Sequence, residues 1–145
     1  MNQTNITDLH KPDQKDIRQH LEVLFHRCPE EYPGGKLEIR CIHPVEKSNS
    51  GNKLIKYQQF KVVEDIAAAV KWAVEMNGAG FNVYVGVNPR KPNTAPFGAG
   101  SNEDVEISFF NFADIDNQES VDRVRQWEGA QYTFSVTTGS HPCPR

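Results

Sequence analysis

Hydrophobic and polar positions alternate along this chain with two different periods. Ile17, Leu21, Leu24 and Phe25 recur at helical spacing. They predict an amphipathic helix that opens near Asp13 or Asp16, whose carboxylates suit the first free N–H groups, and stops at Cys28-Pro29. After the turn cluster of residues 30–35, residues 36–42 (KLEIRCI) alternate strictly and predict a strand with one wet face, ending at Pro44. Residues 46–53 read as a solvated loop, and residues 54–60 as a weaker strand. The stretch 62–76 is alanine-rich, with Ile66, Val70, Ala73 and Val74 on one side, and predicts a packing helix closed by Asn77-Gly78.

The second half continues in the same way. Residues 81–87 (FNVYVGV) form a strand rich in β-branched and aromatic side chains, ended by Asn88-Pro89-Arg90-Lys91-Pro92. A Gly/Pro/Asn-rich loop runs to Asn102, and residues 105–112 (VEISFFNF) are apolar enough for an interior strand. Residues 117–120 open a helix over 121–127 that Gly129 closes, and residues 132–137 form a last strand before an irregular tail. The order α, β, β, α, β, β, α, β predicts the α+β class, with a mainly antiparallel sheet flanked by helices. Residues 1–12 read as a polar leader, and residues 13–145 as a single α+β domain.

Composition narrows the function classes. A chain of 145 residues with 24% charged and 37% hydrophobic residues has the make-up of one soluble domain. No run approaches the roughly 18–20 apolar residues that span a bilayer, and the N-terminus lacks a signal-peptide pattern, so the expected address is cytoplasmic and no membrane is expected as a partner. Cys28, Cys41 and Cys143 are widely spaced with no C-x-x-C, and are expected to be free thiols. The net charge of −3 conceals an asymmetry: residues 1–61 carry ten Lys/Arg against eight Asp/Glu, whereas residues 62–145 carry six against eleven. A broad basic field for nucleic acid is absent, so any phosphate contact has to be local.

Three segments carry candidate chemistry. In Phe112-Ala113-Asp114-Ile115-Asp116, extended backbone puts Asp114 and Asp116 on one face. Paired carboxylates repel unless a cation lies between them, and hard oxygen donors suit Mg²⁺ or Mn²⁺. The competing reading is that Asp114 or Asp116 caps the helix starting near Gln118, with Asp116 and Glu119 at capping-box spacing. In the second segment, Arg90 follows a strand where a guanidinium can grip phosphate, or is a solvated loop cation. The third, 138–145 (TGSHPCPR), offers the Thr138-Gly139 turn, His141 and Arg145 to an anion, or is a loose terminus. A Ser140-His141 hydrolase lacks a nucleophile elbow, Gly78-Ala79-Gly80 lacks the rest of a P-loop, and the other histidines are dispersed. Tyr57, Phe60, Tyr84 and Phe97 are able to stack on bases, or belong to the core.

Taken in order, YVGVNPR (84–90), FADID (112–116) and TTGSHPCPR (137–145) resemble the archaeo-eukaryotic primase superfamily, in its plasmid and phage RepB-like branch. The resemblance covers residues 60–145. It implies an RRM-like palm, metal binding and catalysis by Asp114 and Asp116 with Mg²⁺ or Mn²⁺, and nucleotide phosphate contacts by Arg90, Thr138, Gly139, His141 and Arg145. It further implies DNA primase or polymerase activity, with nucleoside triphosphates and a single-stranded DNA template as partners and a replication helicase as a possible one. The family's pattern runs Thr-Gly, Pro, Arg and then His or Gln, so His141 departs from it. A third acidic motif is also expected on a later strand and does not occur before Arg145. The expectation is therefore the N-terminal part of a primase-polymerase domain, or else a non-catalytic nucleic-acid- or protein-binding module on the same scaffold.

Overall fold

The computed structural model describes residues 12–110 and 117–129. Residues 1–110 and 111–145 form two separate units. In the first, the described elements are α1 (Gln14–Phe25), a one-turn helix α2 (Cys28–Glu31), β1 (Lys36–Lys47), β2 (Lys53–Lys61), α3 (Ile66–Gly78), β3 (Asn82–Val85) and a 3-10 turn (Asn102–Asp104). The second contributes α4 (Gln118–Arg125). The three strands make one antiparallel sheet in the order β2-β1-β3, so the α+β class with an antiparallel sheet and helices is observed.

Local chemistry explains where the elements start. Asp13 caps α1 by accepting the Lys15 N–H at 2.7 Å, as its position predicts. Cys28-Pro29 does not simply stop the chain. Proline is tolerated in a first helical turn because its missing N–H has no partner there, so α2 forms. The predicted helix over 62–76 begins later, at Ile66, because Val62 is drawn to Gly35 and the Asp65 side chain accepts the Lys61 N–H at 3.0 Å. It runs on to Gly78, and Gly80 at φ +87 turns the chain back into β3.

The first strand passes through Pro44 instead of ending there. Regular pairing holds to Ile42↔Ile55 and resumes at Lys47↔Lys53. Between them lies a bulge, where the missing proline N–H interrupts no ladder bond. His43 Nδ1 accepts the N–H groups of Val45 (3.3 Å) and Glu46 (2.7 Å) in that bulge. The predicted strand over 105–112 is the larger correction: residues 105–110 pair with no strand among the described residues. Side chains tether them instead. Glu106 accepts from Tyr32 at 2.5 Å, Ser108 donates to Asn88 at 3.0 Å, and Phe109 is buried. Residues 111–112 and the predicted strand 132–137 lie outside the described residues.

Alternation along the strands separates two sheet faces. Leu37, Ile39, Cys41 and Phe60 face inward and pack with Leu21, Leu24 and Phe25 of α1 and Ala69, Val70 and Ala73 of α3. Both helices thus cover one face. The other carries Glu38, Arg40 and Ile42 from β1, with Gln59, Tyr57 and Ile55 opposite them on β2. Tyr84 and Asn82 of β3 lie beside Arg40 and Ile42, and Gly86 donates its N–H to the Glu38 carbonyl at 2.9 Å. Neither α1 nor α3 packs on this second face.

In the second unit, α4 is capped by Asn117, whose side chain accepts the Ser120 N–H at 2.9 Å. The cap is therefore the asparagine; Asp114 and Asp116 lie outside the described residues. Among the described residues no helix is long and apolar enough to cross a membrane. Cys28 and Cys41 are free and buried, as expected; Cys143 lies outside the described residues.

Candidate nucleic-acid interface

The sheet face opposite the helices is half covered and half open. Beyond Gly86 the chain makes one more bridge to β1, with Arg90 N–H donating to Lys36 O at 2.7 Å and Lys36 N–H donating to Arg90 O at 3.0 Å. It then crosses to the β2 edge, where Pro96 O accepts the Gln59 N–H at 3.0 Å, and Gly100 returns to Glu38. Lys36 Nζ donates to Thr94 O at 2.5 Å beneath this crossing. The loop of residues 86–100 thereby roofs the end of the face that holds Lys36 and Glu38.

Glu38 is the centre of this covered half. It is 2% exposed, and a carboxylate taken out of water requires charge partners and donors. Its Oε2 accepts from Gln59 Nε2 at 2.7 Å and Gly100 N at 2.6 Å, and its Oε1 accepts from Arg40 Nη2 at 3.1 Å. Arg90 Nε lies 3.6 Å from Oε2 and is a buried donor without a hydrogen-bond acceptor. Two guanidiniums therefore share one carboxylate, which leaves the group with a net positive charge.

Two glycines make room for Arg90. A Cβ on Gly86 would lie 3.4 Å from its Nη2, and one on Gly100 would lie 3.0 Å from its Nε and collide with Glu38 Oε2. The Arg90 side chain thus passes close to the backbone at both glycines, with 15% of it exposed. A partly exposed guanidinium of this kind is suited to bidentate contact with phosphate.

The open half begins at Arg40, whose side chain is 39% exposed and packs over the Tyr57 ring at 5.0 Å from its centroid. Tyr84, on the other side of Arg40, is 50% exposed. Of the four aromatic residues with two readings in the sequence, Phe60 is core, while Tyr57 and Tyr84 lie on the open face and Phe97 is exposed on the roof loop.

Among the expected site residues, the structure describes Arg90 and gives it a partner, Glu38, that is not one of them. Asp114, Asp116, Thr138, Gly139, His141 and Arg145 lie outside the described residues. Among the described residues no three His, Cys, Asp or Glu side chains converge as a metal site. Glu38 and Arg40 had a legible signal, since both sit on the polar face of the strict alternation over 36–42. The signal for Gln59 and Gly100 was absent, because it depends on the path of the roof loop. No protein-family model, curated protein or solved structure matches the chain.

Proposed function

We propose that this chain is a DNA primase/polymerase-type nucleotidyltransferase domain, with an RRM-like palm, acting in plasmid or phage replication. Its reaction is attack of a 3′-hydroxyl on a nucleoside triphosphate, directed by a single-stranded DNA template. The observation that supports this most is Arg90 paired with the buried Glu38 beside Arg40, a local positive site after the strand that the primase resemblance marks for phosphate contact. Residues 105–110 are tied to the loop that carries Arg90, with Ser108 donating to Asn88 at 3.0 Å.

In this reading Asp114 and Asp116 hold Mg²⁺ or Mn²⁺, which when bound supplies Lewis-acid activation of the hydroxyl and neutralises the leaving pyrophosphate. Arg90, Arg145, His141 and the Thr138-Gly139 turn hold phosphate, and Glu38 keeps Arg90 in place. The test is incorporation of labelled nucleotides on a primed or unprimed single-stranded template, with Mn²⁺ titration beside it. Asp114→Ala and Asp116→Ala should abolish both incorporation and Mn²⁺ binding, and Arg90→Ala should weaken nucleotide use tenfold or more, on the order of a lost charge-assisted hydrogen bond. Loss of DNA substrate without templated incorporation would point to a metal-dependent nuclease instead.

A second reading is a non-catalytic nucleic-acid-binding module. It is favoured by the same cationic group standing beside exposed tyrosines, an arrangement that binds without any carboxylate pair. Absence of Mn²⁺ binding together with retained oligonucleotide binding would select it.

A further inference from the structure

The open half of the sheet has an ordered composition. Its middle row is Tyr57, Arg40 and Tyr84, taken from three adjacent strands, and the next row is Ile55, Ile42 and Asn82. Adjacent strands lie about 4.8 Å apart, so the two tyrosine positions are separated by roughly 10 Å with a guanidinium between them. Phe97, 79% exposed, is held at the border of this surface, because Gln59 donates its backbone N–H to Pro96 O at 3.0 Å and its side chain to Gly98 O at 3.3 Å. Lys47 and Lys53 stand opposite each other at the far end of the β1-β2 hairpin.

A core explanation does not fit these aromatic residues, since α1 and α3 pack on the other face and Tyr84 and Phe97 are exposed. We infer that the row Tyr57-Arg40-Tyr84, with Phe97 at its edge, is a stacking platform for single-stranded nucleic acid. Every base offers a π-face to a tyrosine or a guanidinium, which makes such binding tolerant of sequence. Charge selects the occupant. The Glu38 group is net positive at one end and the lysine pair lies at the other, so a strand running along β1 meets cations on both sides of the aromatic row. A second copy of the chain, stacked face to face about a two-fold axis, would bring Arg40 against Arg40 and be repelled.

The inference rests on the reading above only for the use made of the strand, because the platform needs neither metal nor nucleotide. The test is fluorescence anisotropy of the full chain, in EDTA, with labelled oligo(dT) of about twelve nucleotides, within the range of roughly 4–16 that one such platform occupies. Oligo(rU) of equal length and a duplex of equal length are run in parallel. Single strands, in deoxy or ribo form, should bind more tightly than duplex. Tyr84→Ala should weaken binding at least about fivefold, and Tyr84→Phe should restore it, because the ring and not the hydroxyl carries the stack. Tyr57→Phe against Tyr57→Ala repeats the comparison at a second position, with circular dichroism verifying the fold of each variant. Equal binding by Tyr84→Ala and Tyr84→Phe, no binding by the intact chain, or a dimer in sedimentation that Tyr84→Ala dissolves, would overturn the platform. Failure of templated incorporation with binding intact would overturn only the catalytic reading.

Discussion

A carboxylate removed from water is tolerated when fixed donors and opposite charge replace its hydration, and Glu38 has three hydrogen-bond donors and a second guanidinium within 3.6 Å. Glu38→Gln keeps the shape and removes the charge, leaving Arg40 and Arg90 facing each other without a counter-ion. Breaking a buried pair costs roughly 3–5 kcal/mol; because Arg40 is reached by solvent, screening reduces this to about 2–3 kcal/mol. Arg40→Gln leaves Glu38 with Gln59, Gly100 and Arg90, and should cost less than about 1 kcal/mol. Urea midpoints of the two variants test the asymmetry. If Arg40→Gln is as damaging as Glu38→Gln, the carboxylate is not the centre of the group. The position of Glu38 on a polar strand face was legible from residues 36–42, but its burial was not. Burial depends on Gly100, sixty-two residues away, and nothing in the local pattern encodes that contact.

At the scale of elements, periodicity was informative wherever one face met the core. It located α1, the paired strands and α3, because burial against Leu37, Ile39 and Phe60 imposes the alternation it detects. It failed for residues 105–110, where Phe109 packs into the core, with Ile107 and Phe110 against it, without joining a ladder. It stopped β1 short, because a bulge absorbs Pro44. The central strand also makes a pH prediction. Cys41 is fully buried among apolar side chains, which pushes its thiol up to about 11 from 9.0, with Lys56 opposing slightly. In the unfolded chain the thiol ionises first, so the unfolded state binds fewer protons across this window. Stability is therefore full below the unfolded thiol value and falls as pH rises from about 9 toward about 11, by on the order of 2 kcal/mol. Cys28 and Tyr32 are shifted in the same direction, each mainly by burial, so the comparison with Cys41→Ala isolates the Cys41 share. Urea midpoints at two alkaline pH values should show a smaller decline in Cys41→Ala, and thiol reagents should leave Cys41 unmodified in the folded chain at neutral pH. An equal decline would mean that the thiol is hydrated in solution.

For the molecule as a whole, every residue of the described core lies between Leu21 and Phe109, and α4 buries none of its own residues. Every described group of the covered and open halves of the sheet face also lies before Phe110. A chain ending at residue 110 should accordingly fold by itself, since truncation argues from burial and backbone hydrogen bonding and not from position along the sequence. We expect a cooperative urea transition within about 1 kcal/mol of the full chain, and amide exchange slowest at residues 39–42, where β1 is paired on both sides. This fragment retains Tyr57, Arg40, Tyr84 and Arg90 but lacks Asp114 and Asp116. It should bind oligo(dT) with an affinity close to that of the full chain and show no nucleotide incorporation and no Mn²⁺ binding. Loss of strand binding in a folded fragment would move the platform's essential contacts to residues 111–145, whereas retained incorporation would remove the paired aspartates from the chemistry. The two activities proposed for this chain are thus separable at residue 110 by one truncation, with the folded state of the fragment as the internal control.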